Sequence, residues 1–336
     1  MPQKSLNKNL HAAKNSKKDE FYTQLSDIEK ELRHYKDHFK GKVVLCNCDD
    51  PRVSNFFHYF SHNFEDLGLK KLITTCYKNQ NRDLFSEHKS ESAIYLEYNG
   101  DKDGNKVPDP EEIGIIPLNG DGDFRSDECI ELLKQADIVV TNPPFSLFRE
   151  YVEQLIKYDK KFVIIGHMNA LHYQEIFKLI KENKMWLGNG FENGNAYFET
   201  PDGERYGSGV YNPETGLVKF RNVSWFTNLE HQKRHEELIL YKEYNAEEFP
   251  NYDNYDAIEV SKIKDIPKDY FGAMGVPDTF LAKYNPDQFE LIGIPFGDLG
   301  KEIGVTRNHR GRTDIAITKD GKSRCPYSRI IIKRKS

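Results

Sequence analysis

Short apolar runs alternate with amphipathic segments along much of the chain, and this alternation constrains the fold more than any other feature. The apolar runs span residues 42–48, 71–77, 137–141, 161–165 and 224–229. Helical spacing of apolar residues occurs at 54–64, 127–135, 146–158 and 173–183. Strands that alternate with helices predict an α/β fold with a doubly wound, mostly parallel sheet. Ligands of such sheets bind beyond the carboxyl ends of the strands, so the turns after the strands are the candidate sites.

The remaining segments are less regular. Residues 7–39 have a helical pattern, and residues 115–118 form one more short apolar run. The stretch 188–216 is dense in Gly, Asn, Asp and Pro, which favours loops and hairpins. Because the alternation is lost beyond about residue 235, we predict three regions. They are a basic N-terminal arm at 1–18, an α/β domain at 19–235 and a C-terminal region at 236–336.

Charge is segregated along the chain. The 336 residues carry a net charge of −5. Residues 1–18 nevertheless hold five Lys and no acid, and residues 301–336 hold eleven Lys or Arg against three acids. Two basic ends on an acidic body are typical of proteins that bind polyanions, because Lys and Arg neutralise phosphates. Solvated basic tails are the alternative reading of the same charges.

Cysteine use and the N-terminus bear on the compartment. The five Cys are an odd, scattered set, and the chain begins without an apolar leader, so reduced thiols and a cytoplasmic protein are expected. No run approaches the roughly 18 apolar residues of a membrane span, so no membrane association is expected. Cys46 and Cys48 lack the C-x-x-C spacing of zinc sites, and no metal is predicted.

The run 137–145 carries the chemistry. It places Asn142, Pro143, Pro144 and Phe145 directly after a predicted parallel strand. The two prolines fix φ and lack N–H groups, so the neighbouring carbonyls and the Asn142 side-chain oxygen form a rigid set of hydrogen-bond acceptors. Phe145 offers a flat face to a planar ring. Acceptors that hold both N–H groups of a ring-bound amine aim its lone pair at an electrophilic carbon, and the sulfonium methyl group of S-adenosylmethionine is the best match.

These residues match a known family. Asn142-Pro-Pro-Phe145 resembles the catalytic motif of amino-methyltransferases, and the chain as a whole resembles the EcoRI-type adenine-specific DNA methyltransferases. The segments that carry the resemblance are 19–24, 46–56, 120–125, 142–150 and 252–257. The resemblance implies a Rossmann-like methyltransferase sheet, S-adenosyl-L-methionine as cofactor and a C-terminal target-recognition region.

The resemblance also implies a set of cofactor-binding residues, which are Tyr22, Thr23, Cys48, Asp49, Asp50, Cys76, Tyr77, Asp123 and Phe124. Asp123 corresponds to the family's acid that accepts a hydrogen bond from the adenine amine of the cofactor, and Phe124 corresponds to a residue beside the adenine ring. Tyr22 and Thr23 correspond to the motif that reaches the methionine end. Cys48 falls at the turn after the first strand of the predicted sheet, where the family binds the cofactor.

Two features depart from the wider methyltransferase pattern. Residues 49–55 replace the glycine-rich turn after the first strand, so a close backbone approach has to occur without glycine. At the end of the second strand, where an acid normally holds the ribose, the chain has Cys76 or Tyr77. Helix capping is the alternative role for Asp49 and Asp50, and a buried strand position is the alternative for Cys76.

Candidate DNA-binding residues lie at both ends of the chain and in one late strand, and they are Lys14, Lys17, Lys18, Trp225, Arg307, Arg310 and Arg312. Arginine reads guanine edges and also clamps phosphates, and the sequence leaves both roles open for the three arginines. Trp225 resembles a residue that helps line the target pocket in the family, and a core position is the equal alternative.

The reaction implied by the resemblance is methyl transfer to N6 of an adenine in double-stranded DNA. The adenine has to swing out of the duplex, because the reacting atom is not reachable in a stacked pair. Asn142 and the Pro143 carbonyl orient the amine, and Phe145 stacks on the base. A restriction-modification role is implied, with GAATTC as the candidate site, a monomeric enzyme, and a cognate endonuclease that acts on the same site without a stable complex. Two alternatives stay open: a methyltransferase for ribosomal RNA guanine or protein glutamine, and a catalytically inactive DNA-binding relative.

Overall fold

The computed structural model describes residues 21–48, 54–75, 93–105, 108–109, 112–200, 205–207 and 209–335. The chain divides into two compact units. The first unit takes in the chain up to Ala170 and Leu187–Leu229, and the second takes in Leu171–Trp186 and the chain from Glu230 onward. Within the described residues, no helix is long and apolar enough to cross a membrane.

The first unit contains most of the elements that the alternation predicts. Its strands are β1 (Tyr22–Thr23), β2 (Val43–Asn47), β3 (Lys71–Thr75), β4 (Ile94–Tyr98), β5 (Ile113–Pro117), β6 (Ile138–Thr141), β7 (Lys161–His167), β8 (Trp186–Leu187, at the junction of the units), β9 (Asn195–Glu199), β10 (Tyr211–Asn212), β11 (Leu217–Arg221) and β12 (Val223–Thr227). Its helices are α1 (Leu25–Leu32), α2 (Asn55–His62), α3 (Phe64–Leu67), α4 (Asp127–Gln135) and α5 (Phe148–Lys157).

An eight-stranded mixed sheet forms the centre of the first unit, in the order β5-β4-β3-β2-β6-β7-β12-β8. The four central strands, β3, β2, β6 and β7, run parallel to one another. The flanking strands β4, β5 and β12 pair antiparallel. The α/β class is therefore as expected, with a parallel centre and antiparallel margins. Strand β4 consists mostly of β-branched, aromatic and other apolar residues inside a polar stretch that was not assigned to a strand, and it pairs with β3 and β5.

A second, four-stranded sheet in this unit has the order β1-β9-β11-β10. Two of its strands, β9 and β10, lie in the region 188–216 that was predicted to form loops and hairpins, and β11 follows that region directly. The helix predicted over 7–39 is wrong at its described N-terminal part, because Tyr22 pairs with Glu199 and Thr23 with Phe198 in antiparallel register. The helix begins only at Leu25 and ends at Leu32. Pairing with a distant strand here overrides the local helical pattern.

A buried acid organises the packing next to this sheet. Glu31 is 1% exposed and accepts hydrogen bonds from the Tyr35 hydroxyl (2.8 Å) and from the backbone N–H groups of Asn189 (2.8 Å) and Gly190 (3.0 Å). These three donors compensate for the loss of water around the carboxylate. Burial, followed by the charge of Glu31, raises the pKa of Tyr35 above its usual range, so the phenol stays protonated and keeps donating.

Gly188 lies where no side chain fits. A Cβ atom there would be 2.2 Å from Glu31 Oε1 and 2.9 Å from Trp225 Cβ. We expect Gly188→Ala to destabilise the protein by about 1–3 kcal/mol, which lowers the Tm by about 2–4 °C per kcal/mol in a unit of this size. Gly207→Ala is the matched control, because an added Cβ there meets nothing within 4 Å. Equal melting temperatures for the two variants would contradict the packing described.

The second unit has its own sheet. Its strands are β13 (Ile258–Glu259), β14 (Met274–Pro277), β15 (Phe289–Gly293), β16 (Ile317–Lys319), β17 (Lys322–Arg324) and β18 (Arg329–Arg334), and its helices are α6 (Gln174–Lys181) and α7 (Gly297–Glu302). Strands β13, β14, β18 and β15 form a four-stranded sheet, and β16 pairs with β17. The buried residues Ile330, Ile331 and Ile332 run through the sheet centre. Helix α6 contacts this unit, since Lys181 Nζ donates to the Ile292 carbonyl at 2.7 Å.

Candidate functional site

The Asn-Pro-Pro-Phe motif lies at the carboxyl end of the parallel strand β6, as the sequence predicts. Strand β6 ends at Thr141, Asn142 follows it, and Phe145 begins a short 3₁₀ turn that leads into α5. The neighbouring strands β2 and β7 are parallel to β6, so their carboxyl ends lie along the same edge of the sheet. This edge is where ligands of parallel α/β sheets bind.

The side-chain amide of Asn142 has a defined orientation. Its Nδ2 donates to the Phe21 carbonyl at 2.8 Å, and the residue is 8% exposed. Because a carbonyl can only accept, this hydrogen bond identifies the nitrogen and assigns the other atom as Oδ1. Oδ1 is therefore the acceptor that the side chain can offer to a ligand.

The two proline carbonyls differ in their surroundings. The Pro144 carbonyl accepts from the Leu147 N–H at 2.9 Å and so belongs to the turn. Among the described residues, no hydrogen bond is found to the Pro143 carbonyl. The motif thus presents two fixed acceptors in sequence, the Asn142 Oδ1 and the Pro143 carbonyl, which is the arrangement predicted for holding an amine.

Phe145 belongs to an aromatic wall that the sequence did not reveal. Its half-buried ring is near-parallel to that of Phe21, with a centroid distance of 6.4 Å, and meets Phe220 edge-on at 6.2 Å. His167, at the end of β7, also faces Phe145 edge-on at 6.4 Å. Phe21 lies in the resembling segment 19–24, which was the available signal, whereas Phe220 lies in β11, a strand that the sequence analysis did not predict.

His167 is unsuited to act as a base toward a substrate. Burial lowers its pKa below the usual value, so the ring is neutral at pH 7. The Nδ1 atom accepts from the Asn169 N–H at 3.1 Å, which places the ring proton on Nε2. The ring therefore presents an N–H group, and its one basic nitrogen is already in use.

Two asparagine side chains hold β1 against the edge of the central sheet. Asn142 binds the Phe21 carbonyl, and Asn55 Nδ2 donates to the Thr23 carbonyl at 2.7 Å. Asn55 is the first residue of α2, whose N-terminus is capped by the Ser54 hydroxyl. This arrangement brings Tyr22 and Thr23, which were predicted to contact the cofactor, to the same edge as the motif. The Thr23 hydroxyl is buried and has no hydrogen-bond partner among the described residues.

Cys48, the residue directly after β2, has an unusual backbone conformation. Cys48 adopts a φ of 83°, in the left-handed region that glycine usually occupies. Its N–H donates to the Thr75 carbonyl at the end of β3, at 3.1 Å. A non-glycine residue held in this conformation stores strain of the order of 1–3 kcal/mol, which is typical of functional turns.

A buried hydrogen-bond cluster connects the predicted cofactor turn with the catalytic strand. Asn47, at the end of β2, is 7% exposed, and its Oδ1 accepts from the Tyr151 hydroxyl of α5. The Asn47 carbonyl accepts from the Thr141 hydroxyl. Burial holds the pKa of Tyr151 well above its usual value, so it remains a donor. Sequence reasoning missed Asn47 and Tyr151, since neither residue type in isolation indicates a site.

Phe124 and Asp123 lie in the loop before α4. Phe124 is 8% exposed and packs edge-on against Tyr151, at a centroid distance of 5.0 Å. Asp123 pairs with the Arg125 guanidinium through both carboxylate oxygens, at 2.7 and 2.9 Å, and Arg125 also binds Glu150 at 3.0 Å. The Arg125 backbone N–H also donates to Asp123 Oδ1, at 2.9 Å, so this oxygen accepts two hydrogen bonds from one residue.

The structure places Trp225 in the core, which corrects the prediction that Trp225 contacts DNA. Its side chain is 0% exposed and stacks on Phe191, at a centroid distance of 5.6 Å. Phe56 meets it edge-on at 6.3 Å. A side chain with no exposed surface cannot touch DNA, so the core alternative is supported. The β-branched and aromatic run 223–227 forms a wholly buried strand and leaves Trp225 no route to the surface.

Several predicted site residues lie outside the described part of the chain, namely Lys14, Lys17, Lys18, Asp49, Asp50, Cys76 and Tyr77. Their roles remain predictions.

In the second unit, the three predicted DNA-binding arginines are exposed on one loop, residues 306–316, here called the arginine loop. Asn308 is buried within it. Its Oδ1 accepts from the N–H groups of Arg310 (2.8 Å) and Arg312 (3.2 Å), and its Nδ2 donates to the Asp314 carbonyl (3.0 Å). Within the described residues, no carboxylate forms an ion pair with Arg307, Arg310 or Arg312.

Asn254 closes the base of the arginine loop. Its Nδ2 donates to the carbonyls of Thr306 (2.7 Å) and Asp314 (2.9 Å), and its Oδ1 accepts from the Ala316 N–H (2.9 Å). The segment 252–257, part of the family resemblance, therefore has a structural role, because the Asn254 side chain joins both ends of the arginine loop. Backbone hydrogen bonds to the buried amides of Asn254 and Asn308 hold the loop, and the exposed Arg310 side chain donates to His309 Nε2 at 3.2 Å.

Comparison with known proteins gives a consistent result. Residues 9–335 match a family described as the adenine-specific methyltransferase EcoRI. The type II methyltransferase M.EcoRI of Escherichia coli is 50% identical over 340 residues, which cover 100% of this chain and 99% of that protein. The type II methyltransferases M.MpnI of Mycoplasma pneumoniae and M.MgeORF184P of Mycoplasma genitalium are 40% and 39% identical, and each match covers 97% of this chain and 98% of the relative. No solved structure matches the chain.

The matches extend over β6 with its Asn-Pro-Pro-Phe motif, the turn after β2 and the arginine loop. They confirm the resemblance that the motifs indicate. The chain belongs to the adenine-specific EcoRI methyltransferase family.

Proposed function

We propose that this chain transfers a methyl group from S-adenosylmethionine to the exocyclic nitrogen of an adenine swung out of double-stranded DNA. The observation that carries the proposal is the pair of fixed acceptors at the end of β6, the Asn142 Oδ1 and the Pro143 carbonyl. An adenine amine has two N–H donors, and two acceptors in rigid positions can bind both. The family membership supports adenine as the base.

The acceptors act by orientation and electrostatics. In a free adenine the amine lone pair is delocalised into the ring. Hydrogen bonds from both N–H groups to Asn142 and Pro143 favour a pyramidal nitrogen, direct its lone pair away from the ring, and stabilise the positive charge that develops during transfer. Phe145 stacks on the base, and the aromatic wall excludes water. The neutral His167, whose Nδ1 is occupied, takes no proton before the transfer.

The edge of the central sheet fits a bound S-adenosylmethionine. The buried Thr23 hydroxyl, which has no partner among the described residues, offers a hydrogen bond at the predicted methionine end. Asp123 would accept from the adenine amine of the cofactor, beside the ring of Phe124. When bound, the cofactor supplies an electrophilic methyl group. The Thr141 hydroxyl and the Asn47 carbonyl join the ends of β6 and β2, and Tyr151 of α5 fixes the Asn47 side chain, which keeps the cofactor side and the base side in register.

The finer parts of the proposal rest on the relatives and on charge. We assign a doubly wound arrangement to the central sheet, target recognition to the second unit, and DNA contacts to the arginine loop and the basic arm at 1–18. The relatives are named type II methyltransferases, and one bears the name EcoRI, which supports a restriction-modification role and methylation within GAATTC. We further propose a cytoplasmic monomer that shares its site with a cognate endonuclease without a stable complex.

The alternatives considered from the sequence gain no support. The matched family is adenine-specific, which disfavours a guanine or glutamine substrate. The acceptor pair and the aromatic wall are both present, which disfavours an inactive relative.

A transfer assay tests the proposal. With S-adenosylmethionine labelled in its methyl group, we expect incorporation into a GAATTC duplex and none into ribosomal RNA or protein. Duplexes in which each adenine of the site is replaced in turn by N6-methyladenine identify the acceptor, because methylation of the target adenine in both strands blocks incorporation. Incorporation into RNA alone, or labelled duplex that yields no N6-methyladenine, would exclude the proposed reaction.

A further inference from the structure

The hairpin loop between β4 and β5 carries oxygen-bearing side chains at regular intervals. Counted from Asp101 as position 1, Asp103 is at position 3, Asn105 at 5, Asp109 at 9 and Glu112 at 12. A 12-residue loop with oxygen ligands at these positions and Glu at the last is the pattern that binds Ca²⁺ in helix-loop-helix calcium sites. That pattern sets a glycine at position 6 for its sharp turn. Here Gly104, at position 4 with a φ of 83°, makes the turn two residues earlier.

The side chains converge in space. One ligand oxygen from each of Asp101, Asp103 and Glu112 can be chosen so that all lie within 4.8 Å of one another. Oxygens bound to one Ca²⁺ lie 2.3–2.6 Å from the ion, so two of them are at most about 5 Å apart. The spacing of the three carboxylates therefore meets the distance requirement for one shared ion. Asn105 lies against this group, since its Nδ2 donates to Asp103 at 2.8 Å.

Glu112 gives a second and independent indication. It is only 6% exposed, and its Oε2 is buried with no hydrogen-bond partner among the described residues. Its other oxygen accepts from the Lys102 N–H. A buried carboxylate oxygen without a donor is unfavourable, and two further carboxylates nearby make it more so. A cation between the three groups removes this cost. Burial, with the charges of Glu112 and Asp101, raises the pKa of the neighbouring Tyr98 to about 12.

We propose that Asp101, Asp103 and Glu112 bind one Ca²⁺, with Asn105 and Asp109 completing the oxygen set. The ion fastens the β4–β5 hairpin at the margin of the central sheet. The Asp101 N–H also donates to Glu65 of α3, at 3.2 Å, so the loop is tied to the body of the unit. The site is separate from the acceptor pair at β6, and its ion takes no part in methyl transfer.

Calorimetry and thermal melting of the full chain test the proposal. After treatment with EDTA and its removal, titration with CaCl₂ should show one ion bound per chain, and MgCl₂ should bind more weakly, because Mg²⁺ demands a smaller octahedral site. At a free Ca²⁺ concentration about 100 times the Kd, we expect the Tm to rise by about 5–10 °C.

Two substitutions locate the site. Asp103 is exposed, so Asp103→Asn should leave folding intact while weakening Ca²⁺ binding at least about tenfold. Glu112→Gln should abolish the Ca²⁺-induced rise in Tm, and in EDTA it should melt no lower than the parent, because an uncompensated charge has been removed. Glu131→Gln, at an exposed carboxylate on α4, is the matched control and should bind Ca²⁺ normally. Absence of binding, binding that survives both substitutions, or tighter binding of Mg²⁺ would overturn the assignment.

Discussion

Asn142→Ala lowers the kcat for methyl transfer to duplex DNA by about 10³-fold, the loss expected when one preorganised hydrogen-bond partner is removed from a transition state. The variant loses the Oδ1 acceptor that holds the target amine, and it also loses the Nδ2 hydrogen bond to the Phe21 carbonyl. Affinity for DNA should stay within a few-fold of the parent, because the residues proposed to bind the duplex itself are those of the arginine loop and the basic arm. Single-turnover rates with labelled cofactor, together with DNA binding by fluorescence anisotropy, measure the two quantities separately.

Asn228→Ala is the control for this substitution. Asn228 also makes two hydrogen bonds with the backbone, accepting from the Phe162 N–H and donating to the Lys160 carbonyl, at the amino end of β7. We expect it to lower the melting temperature and to leave kcat nearly unchanged. Near-normal turnover of Asn142→Ala, or an equal loss of turnover in both variants, would contradict the role assigned to Asn142.

The double substitution Arg310→Ala and Arg312→Ala should weaken binding to a GAATTC duplex by about 10²–10⁴-fold, since each arginine contact contributes about 1–3 kcal/mol when it reads a base. The salt dependence separates the two roles that the sequence left open. An arginine that contacts a phosphate contributes about −0.9 to the slope of log K against the logarithm of the salt concentration. Its loss weakens binding to all duplexes alike. An arginine on a guanine edge mainly affects the discrimination between GAATTC and a duplex altered at one base pair.

Two further variants make this experiment decisive. Arg33→Ala removes an exposed arginine of the first unit and should leave binding unchanged. Asn254→Ala leaves every arginine in place but breaks the hydrogen bonds that close the arginine loop, so we expect weaker discrimination between duplexes with an unchanged salt slope. If the double arginine variant binds as tightly and selectively as the parent, the loop has no part in DNA recognition.

The elements predicted most closely are those whose signals are local. Helix α4 spans Asp127–Gln135 in both the prediction and the structure, because the Ser126 hydroxyl caps its first turn and its apolar residues repeat at helical spacing. The central strands were predicted to within a few residues for the same reason. The four-stranded sheet of the second unit was not predicted, since short strands in irregular sequence depend on partners that are distant along the chain.

The same distinction between local signals and long-range contacts applies to the candidate site. The motif 142–145 indicated a site from the sequence alone, because two consecutive prolines restrict the backbone whatever surrounds them. The aromatic wall did not, because Phe21 and Phe220 reach Phe145 only through the sheet of β1, β9 and β11. Trp225 could not be assigned from sequence, since an aromatic residue in a late strand suits a pocket and a core equally well.

The sequence by itself determined the family, the parallel strand that ends at Thr141, and the stiff run of acceptors after it, since proline geometry and apolar periodicity act over a few residues. Only the tertiary structure decided which atom of the Asn142 amide faces a ligand, because its hydrogen-bond partner Phe21 lies 121 residues earlier. The same holds for the arginine loop, which is shaped by Asn254, 52 residues before Thr306. Side-chain direction depends on hydrogen bonds between segments that meet only when the chain has folded.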